Sequence, residues 1–97
     1  VVQAGPAQSA IKRIAWCSGG AQSYFEAAIA AGADAFITGE MSYHEYFGHE
    51  QEIQICVIGH YQSEQFTGEI FRSIIQENFP DAKCCISEIN TNPILYL

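Results

Sequence analysis

Basic residues are scarce in this chain. Four Lys plus Arg stand against eleven Asp plus Glu over 97 residues, which gives a formal net charge of -7. A basic stripe that could follow a phosphate backbone or an anionic lipid surface is therefore missing. The composition argues against nucleic acid and against membranes as partners of this segment.

Long hydrophobic runs are missing as well. No run approaches the roughly 20 apolar residues that span a bilayer, and residues 1–6 have neither the basic region nor the apolar core of a signal peptide. We therefore expect a soluble, intracellular protein. Position 1 is Val instead of Met, and the small-residue stretch that follows predicts a linker or junction over residues 1–10. This start predicts a piece of a longer protein, although N-terminal processing would give the same start.

Closely spaced cysteine pairs are the third absence. The four cysteines show no Cys-x-x-Cys spacing, since two lie in or at the ends of apolar runs and the other two are adjacent. Reduced thiols are the favoured interpretation. A thiolate zinc site is disfavoured because such sites usually show paired cysteines separated by a turn.

Along residues 11–97, short strand-like apolar runs alternate with segments whose apolar residues recur at helical spacing. Short β-branched runs predict strands, and runs with apolar residues at helical spacing predict helices, the last of them closed by Phe79-Pro80. The predicted strands cover residues 11–17, 33–38, 53–58 and 83–87, and the predicted helices cover residues 21–31, 63–78 and a short stretch after Ser42. This βαβαβαβ alternation predicts one α/β domain, with helices packed on a mixed or mostly parallel sheet.

Polar residues follow three of the predicted strands directly. They are Ser18-Gly19-Gly20, Gly39-Glu40 and Gly59-His60. Because ligands gather at the carboxyl ends of parallel strands, we expect these three turns to meet at one edge of the sheet.

His60 and Glu64 are spaced four residues apart, so they project from one face of a helix. Imidazole and carboxylate ligands suit zinc, iron, manganese or nickel. The alternative is a plain helix start with both side chains solvated and the acid near the positive end of the helix dipole. Glu40 is a candidate catalytic carboxylate: it could act as a general base or hold a ligand imidazole, or it could be a solvated loop residue.

Three motifs, in this order and spacing, resemble the Nif-three-like (NGG-interacting-factor-three-like) family, also labelled the GTP cyclohydrolase I type 2 family. They read CSGG at 17–20, GADAFITGE at 32–40 and GHYQSE at 59–64. The resemblance covers residues 11–97 and implies the carboxy-terminal half of such a protein. It also implies a cytoplasmic α/β protein that forms toroidal hexamers around an inward-facing centre of two divalent metal ions.

The family's GHxxxE motif places two metal ligands on His60 and Glu64. The remaining ligands of the family, histidines and an aspartate, belong to an amino-terminal half that lies outside this chain. The family's middle motif pairs its Thr-Gly-acid segment with a Tyr-His pair, here Tyr43 and His44. The resemblance places these two near the metal ligands but leaves open whether His44 touches a metal, orients a water or simply packs.

Two functions follow from the resemblance. The first is a dinuclear metal-dependent hydrolase related to GTP cyclohydrolase, in which the ions activate water and polarise the substrate. The second is a non-catalytic metal-binding or protein-interaction module, an alternative that the family name, taken from a protein partner, keeps open. A third and plainer interpretation is an inactive fragment. The sequence decides neither the native metal nor the substrate.

Overall fold

The computed structural model describes residues 2–5 and 10–97. These residues belong to two compact units, Val1–Glu64 and Gln65–Leu97. The first unit contains the sheet and all of the strand-end turns singled out above.

One sheet organises the described part of the first unit, and its four strands lie in the order β1-β4-β3-β2. The strands are β1 (Val2–Ala4), β2 (Ile14–Cys17), β3 (Ala35–Thr38) and β4 (Gln54–Val57). The last three run parallel, while β1 is antiparallel to β4. The predicted α/β class with a mostly parallel sheet is confirmed.

The start of β2 is fixed by a carboxylate that precedes β3. Asp34 accepts hydrogen bonds from the backbone amides of Lys12 and Arg13, at 2.9 and 2.8 Å. These two bonds favour the ionised form and lower the pKa of Asp34 below its ordinary value. Asp34, which precedes β3, therefore holds the residues that lead into β2 beside the start of β3.

The helix that lies between β2 and β3 in the chain packs on the sheet and covers the core. A 3-10 turn at Gln22–Tyr24 leads into α1 (Phe25–Ala30), within the predicted span of residues 21–31. The helix closes at Gly32, whose amide donates to the carbonyl of Ile29 at 2.9 Å. Glycine is the residue most often found at this position after a helix.

The core lies between α1 and the sheet. Phe25 of α1 and Phe36 of β3 are almost fully buried, and their ring centroids are 5.4 Å apart. Small residues around them let the helix approach the strands closely. The other members of this cluster are Ala21, Ala28, Ala33, Ile53 and Ile55.

The segment between β3 and β4 forms a 3-10 turn at Tyr43–Tyr46 where a short helix was predicted. Ser42 precedes this turn, and within the described residues its side chain makes no capping hydrogen bond. Instead the Ser42 backbone amide donates to Oε1 of Gln22, at 2.8 Å. The turn is thereby tied to the segment before α1.

The helix predicted over residues 63–78 is in fact two helices. The first, α2 (His60–Glu64), begins directly after Gly59 and belongs to the first unit. The second, α3 (Thr67–Asn78), belongs to the second unit. Its predicted apolar stripe includes Ile70 and Phe71, which are 57% and 60% exposed. Among the described residues, no helix is long and apolar enough to cross a membrane.

The strand predicted at residues 83–87 is wrong: this part of the described chain contains no strand. Apolar β-branched residues favour a strand only where a neighbouring strand accepts their backbone hydrogen bonds, and every described strand lies in the first unit. The sheet instead gains β1, which lies inside the predicted junction of residues 1–10. The domain assignment itself stays a prediction.

His49 links α1 to the turn before β4. Its Nδ1 lies 2.9 Å from Oε2 of Glu52, its Nε2 lies 3.1 Å from Oε1 of Glu26, and its ring meets the edge of Phe25. The hydrogen bond that the imidazole donates to Glu52, with the charge of Glu26, raises the pKa of His49 above its ordinary value of 6.5, against a smaller opposing effect of burial. The protonated imidazole therefore joins two elements of the first unit.

We expect His49 to make stability depend on pH. Because its folded pKa is raised, its contribution is fully present below 6.5 and is lost as the pH rises through the folded value. The difference in urea midpoint between wild type and His49→Gln should therefore be larger at about pH 6 than at about pH 9. His44→Gln is the control, since the His44 ring packs against Tyr43. An equal His49→Gln difference at both pH values would contradict the expectation.

Candidate metal centre

The three parallel strands end side by side. Cys17 of β2, Thr38 of β3 and Val57 of β4 are paired in register, so the turns that follow them leave the sheet at one edge. Backbone hydrogen bonds join these turns in sequence. The Glu40 amide donates to the carbonyl of Gly19 at 3.1 Å, and the Gly59 amide donates to the carbonyl of Gly39 at 2.9 Å. The predicted meeting of the three strand-end turns is confirmed.

The turns after β2 and β3 touch through their backbones. A Cβ on Gly39 would lie 2.6 Å from the carbonyl oxygen of Gly19 and 2.9 Å from its nitrogen, closer than real Cβ atoms approach. The buried hydroxyl of Thr38 donates to the same Gly19 carbonyl, at 3.3 Å. Gly39 is therefore required by close approach, and the two turns keep a fixed spacing.

The imidazole of His60 lies between two carboxylates. Its Nδ1 is 3.1 Å from Oε1 of Glu40, and its Nε2 is 3.2 Å from Oε2 of Glu64. Glu40 comes from the turn after β3, whereas Glu64 lies one turn along α2. All three side chains are about half exposed. The structure thus brings the three principal candidate residues together.

The surroundings of His60 favour a positive charge at the imidazole. The hydrogen bond with Glu40 raises the pKa of His60 above its ordinary value of 6.5, the charges of Glu64 and Glu40 raise it further, and burial opposes them. When Nδ1 donates its proton to Glu40, the lone pair of Nε2 faces the Glu64 oxygen. Two acceptors at this distance need a proton or a cation between them.

The His60 and Glu64 atoms meet the geometric requirement for a shared metal ion. Nitrogen and oxygen ligands lie about 2.0–2.2 Å from zinc, so two of them at adjacent coordination positions are about 3.0–3.5 Å apart. The observed separation of Nε2 and Oε2 is 3.2 Å. A carboxylate on the other ring nitrogen is the usual partner of a ligand histidine, and Glu40 has that position.

The ligand set within this chain is small. Among the described residues, no group of three or more His, Cys, Asp or Glu side chains is arranged to hold a metal ion. His60 and Glu64 therefore fit two positions of a coordination sphere, while Glu40 contacts the imidazole on its far side. The assignment of these residues to a metal site stays a prediction.

Tyr43 and His44 lie on the 3-10 turn that follows Glu40. Their rings meet edge to face with centroids 5.7 Å apart, and Tyr43 also packs on Phe47. In the described chain neither makes a hydrogen bond or ion pair with His60 or the two carboxylates around it. Their predicted place beside the metal ligands stays a prediction.

An open cavity borders Glu40 on the side of this turn. Its volume is about 360 Å³, and polar atoms form most of its wall. The lining residues are Gly20, Gln22, Glu40, Met41 and Ser42. A small polar molecule in this cavity would meet the carboxylate that also contacts His60.

Sequence reasoning missed the role of Ser63, although this residue lies inside the GHYQSE motif. Its hydroxyl accepts a hydrogen bond from the Gly19 amide at 2.9 Å and donates one to the His60 carbonyl at 2.7 Å. The available signal was spacing: residue 63 is three positions after His60 and so shares its side of α2. The hydrogen bond between Ser63 and Gly19 could not be predicted from spacing, because the two residues are distant in sequence.

Comparison with known proteins agrees with this fold and these motifs. The sequence model of the Duf34/NIF3 (NGG1p interacting factor 3) family matches residues 1–93. A Neisseria meningitidis protein named GTP cyclohydrolase 1 type 2 homolog is 34% identical over 87 residues, which are 89% of this chain and 35% of that protein. The chain belongs to the Duf34/NIF3 family.

Solved structures support the same assignment. The Staphylococcus aureus protein SA1388 superposes with a TM-score of 0.80 and 31% identity over 99% of this chain. A Bacillus cereus protein related to NIF3 superposes with a TM-score of 0.70 at 20% identity, which supports the fold alone. The chain covers 29% and 28% of these two structures, so it spans about a third or less of its relatives.

The Gly39 contact gives a direct test of the site's architecture. Gly39→Ala should lower the free energy of unfolding by about 1–3 kcal/mol, because the added Cβ meets backbone atoms that cannot move independently. Gly20→Ala is the matched control in the adjacent turn, since its Cβ would meet only the Glu40 side chain, at 3.3 Å. Urea unfolding measures both variants. Equal midpoints for the two variants would contradict the close approach.

Proposed function

We propose that this chain binds a divalent metal ion through Nε2 of His60 and the carboxylate of Glu64. The observation that carries the proposal is the 3.2 Å separation of these two atoms, which suits adjacent ligands of one ion. Zinc, iron, manganese and nickel all accept this ligand pair. The net charge of -7 adds a general attraction for cations.

Glu40 supports the ligand histidine in this proposal. Its Oε1 accepts the Nδ1 proton of His60, at 3.1 Å, which selects the tautomer whose Nε2 lone pair points towards Glu64. The same contact fixes the rotation of the imidazole ring. The proton therefore lies on Nδ1 and the proposed metal ion on Nε2, because Glu40 accepts the Nδ1 proton.

We further propose that the complete protein is a metal-dependent hydrolase related to GTP cyclohydrolase. A divalent ion supplies Lewis acidity and a nucleophile at neutral pH. Glu40 borders the 360 Å³ cavity and is placed to exchange a proton with a molecule bound there. The names of the relatives support this reaction class, since they read GTP cyclohydrolase 1 type 2 homolog.

The rest of the proposed centre comes from outside this chain. Two ligands hold one ion weakly, and a centre of two ions needs further histidine and carboxylate ligands. We propose that these come from the remaining part of a longer family protein, assembled as a toroidal hexamer in the cytoplasm. Tyr43 and His44, on the 3-10 turn that follows the cavity residues Met41 and Ser42 in the chain, are proposed to lie near this centre.

The second candidate function is non-catalytic metal binding, with protein interaction as its biological purpose. It is favoured by the small ligand set: among the described residues no group of three or more His, Cys, Asp or Glu side chains is arranged to hold a metal ion. The pair of His60 and Glu64 is sufficient to bind an ion but supplies few groups for turnover. Metal affinity and catalytic activity separate the two candidates.

Metal binding is tested by replacing each carboxylate near His60. We expect Glu64→Gln to weaken zinc or manganese binding by more than about tenfold and Glu40→Gln to weaken it by about 10- to 100-fold, because the first loses a ligand and the second loses the partner of the imidazole. Competition with a chelating dye measures the affinities. Glu77→Gln on α3 is the matched control and should bind as the wild type does.

The order of these effects discriminates between interpretations. A wild type that takes up no more divalent ion than the His60→Ala variant would overturn the proposed site. Equal affinity of Glu64→Gln and wild type would remove Glu64 from the ligand set and leave His60 without its partner.

Hydrolysis is tested in the longest natural form of the protein that contains these residues. With a divalent metal we expect GTP to be consumed, and we expect Glu40→Gln to lower the rate by about 100-fold or more, the range in which a general acid or base contributes. Chromatography of the nucleotide measures the reaction. No turnover above the metal-free control, with metal binding intact, would favour the non-catalytic candidate.

A further inference from the structure

The hydroxyl of Ser63 joins two segments that are distant in sequence. It accepts a hydrogen bond from the Gly19 amide, at 2.9 Å, across 44 positions of the chain. It also donates to the carbonyl oxygen of His60, at 2.7 Å. One hydroxyl therefore connects the turn after β2 to the first turn of α2.

This connection lies next to the proposed ligands. Ser63 immediately precedes Glu64 and follows His60 by three positions, so its hydroxyl lies within the same helical turn as both. On the other side, Gly19 has a φ of +66° and lies against the Glu64 carboxylate, because a Cβ on this residue would overlap Oε1 of Glu64. The turn after β2 thus packs against the Glu64 carboxylate and is hydrogen-bonded to Ser63.

The neighbourhood leaves Ser63 little freedom. A Cβ on Gly39 would lie 2.6 Å from the Ser63 hydroxyl, so the turn after β3 passes directly beside it. The Ser63 amide donates to the Gly59 carbonyl, at 3.0 Å. Its single hydroxyl proton is used by the His60 carbonyl. The side chain is therefore held by three strand-end turns.

We propose that Ser63 is a positioning residue of the metal site, whose hydroxyl fixes α2 against the turn after β2 and thereby sets the separation of the His60 and Glu64 ligand atoms. This inference rests on the proposed metal binding. Ser63 acts through its two neighbours and does not contact the ion. A helix of five residues has few intrahelical backbone hydrogen bonds, so a long-range anchor has a large effect on where its side chains point.

The alternative is that Ser63 only stabilises the fold. Loss of the bridge would then lower the urea midpoint of unfolding, through the unpaired Gly19 amide, without changing the metal environment. Positioning makes a different prediction, since it alters the ligand field. The absorption spectrum of bound cobalt reports that field directly.

The experiment compares Co²⁺ binding by wild type, Ser63→Ala, Ser63→Thr and Ser73→Ala. Ser63→Ala should bind Co²⁺ about 10- to 100-fold more weakly than wild type, the range found when a group supporting a ligand is removed, and its visible spectrum should shift. Ser63→Thr keeps the hydroxyl, and an adjoining cavity of about 140 Å³ accepts the added methyl group, so it should restore both affinity and spectrum. Ser73→Ala is the control, because its hydroxyl likewise donates to a backbone carbonyl in its own helix, that of Glu69.

Each outcome decides a different claim. Wild-type affinity and spectrum in Ser63→Ala would overturn the positioning role while leaving the metal site intact. No Co²⁺ binding by the wild type would overturn the metal site and with it this inference. If Ser63→Ala does not fold, Ser63→Thr decides: a folded variant with weakened binding and a shifted spectrum, despite its hydroxyl, would contradict the proposal.

Discussion

The backbone contact between Gly19 and Gly39 is the constraint on which the candidate site depends. It sets the distance between the turns after β2 and β3, and backbone bonds then carry that spacing to Gly59 and the start of α2. Glu40 and His60 leave the backbone within one residue of these contacts. A side chain of any size at Gly39 would separate the turns and move the carboxylate away from the imidazole. The arrangement of the candidate site therefore requires that Gly19 and Gly39 have no side chains.

Much of this site could be predicted from the sequence, because its position follows from the parallel direction of the strands. Parallel strands of similar length end at one edge, so Glu40 and His60 had to be neighbours once β3 and β4 were recognised. The four-residue spacing of His60 and Glu64 fixed their common helical face. Both predictions use local patterns whose geometric consequences do not depend on the rest of the chain.

Other features depend on tertiary contacts that no local pattern reports. The break at residues 65 and 66 interrupts a continuous apolar periodicity, so α2 and α3 were read as one helix. The segment at residues 83–87 has strand composition but forms no strand in the described chain. Ser63 has the role of an anchor only because Gly19, 44 residues earlier, meets it. For Ser63 the deciding partner is therefore remote in sequence.

The exposed indole of Trp16 gives the site an optical reporter. It is the only tryptophan of the chain, it is 76% exposed on β2, and it lines the same cavity as Ser63. Its fluorescence therefore arises from a solvated ring and originates at one known place beside α2. A displacement of that helix changes the surroundings of the only tryptophan in these 97 residues, so the chain carries its own label for movements of the turn that bears the proposed ligands.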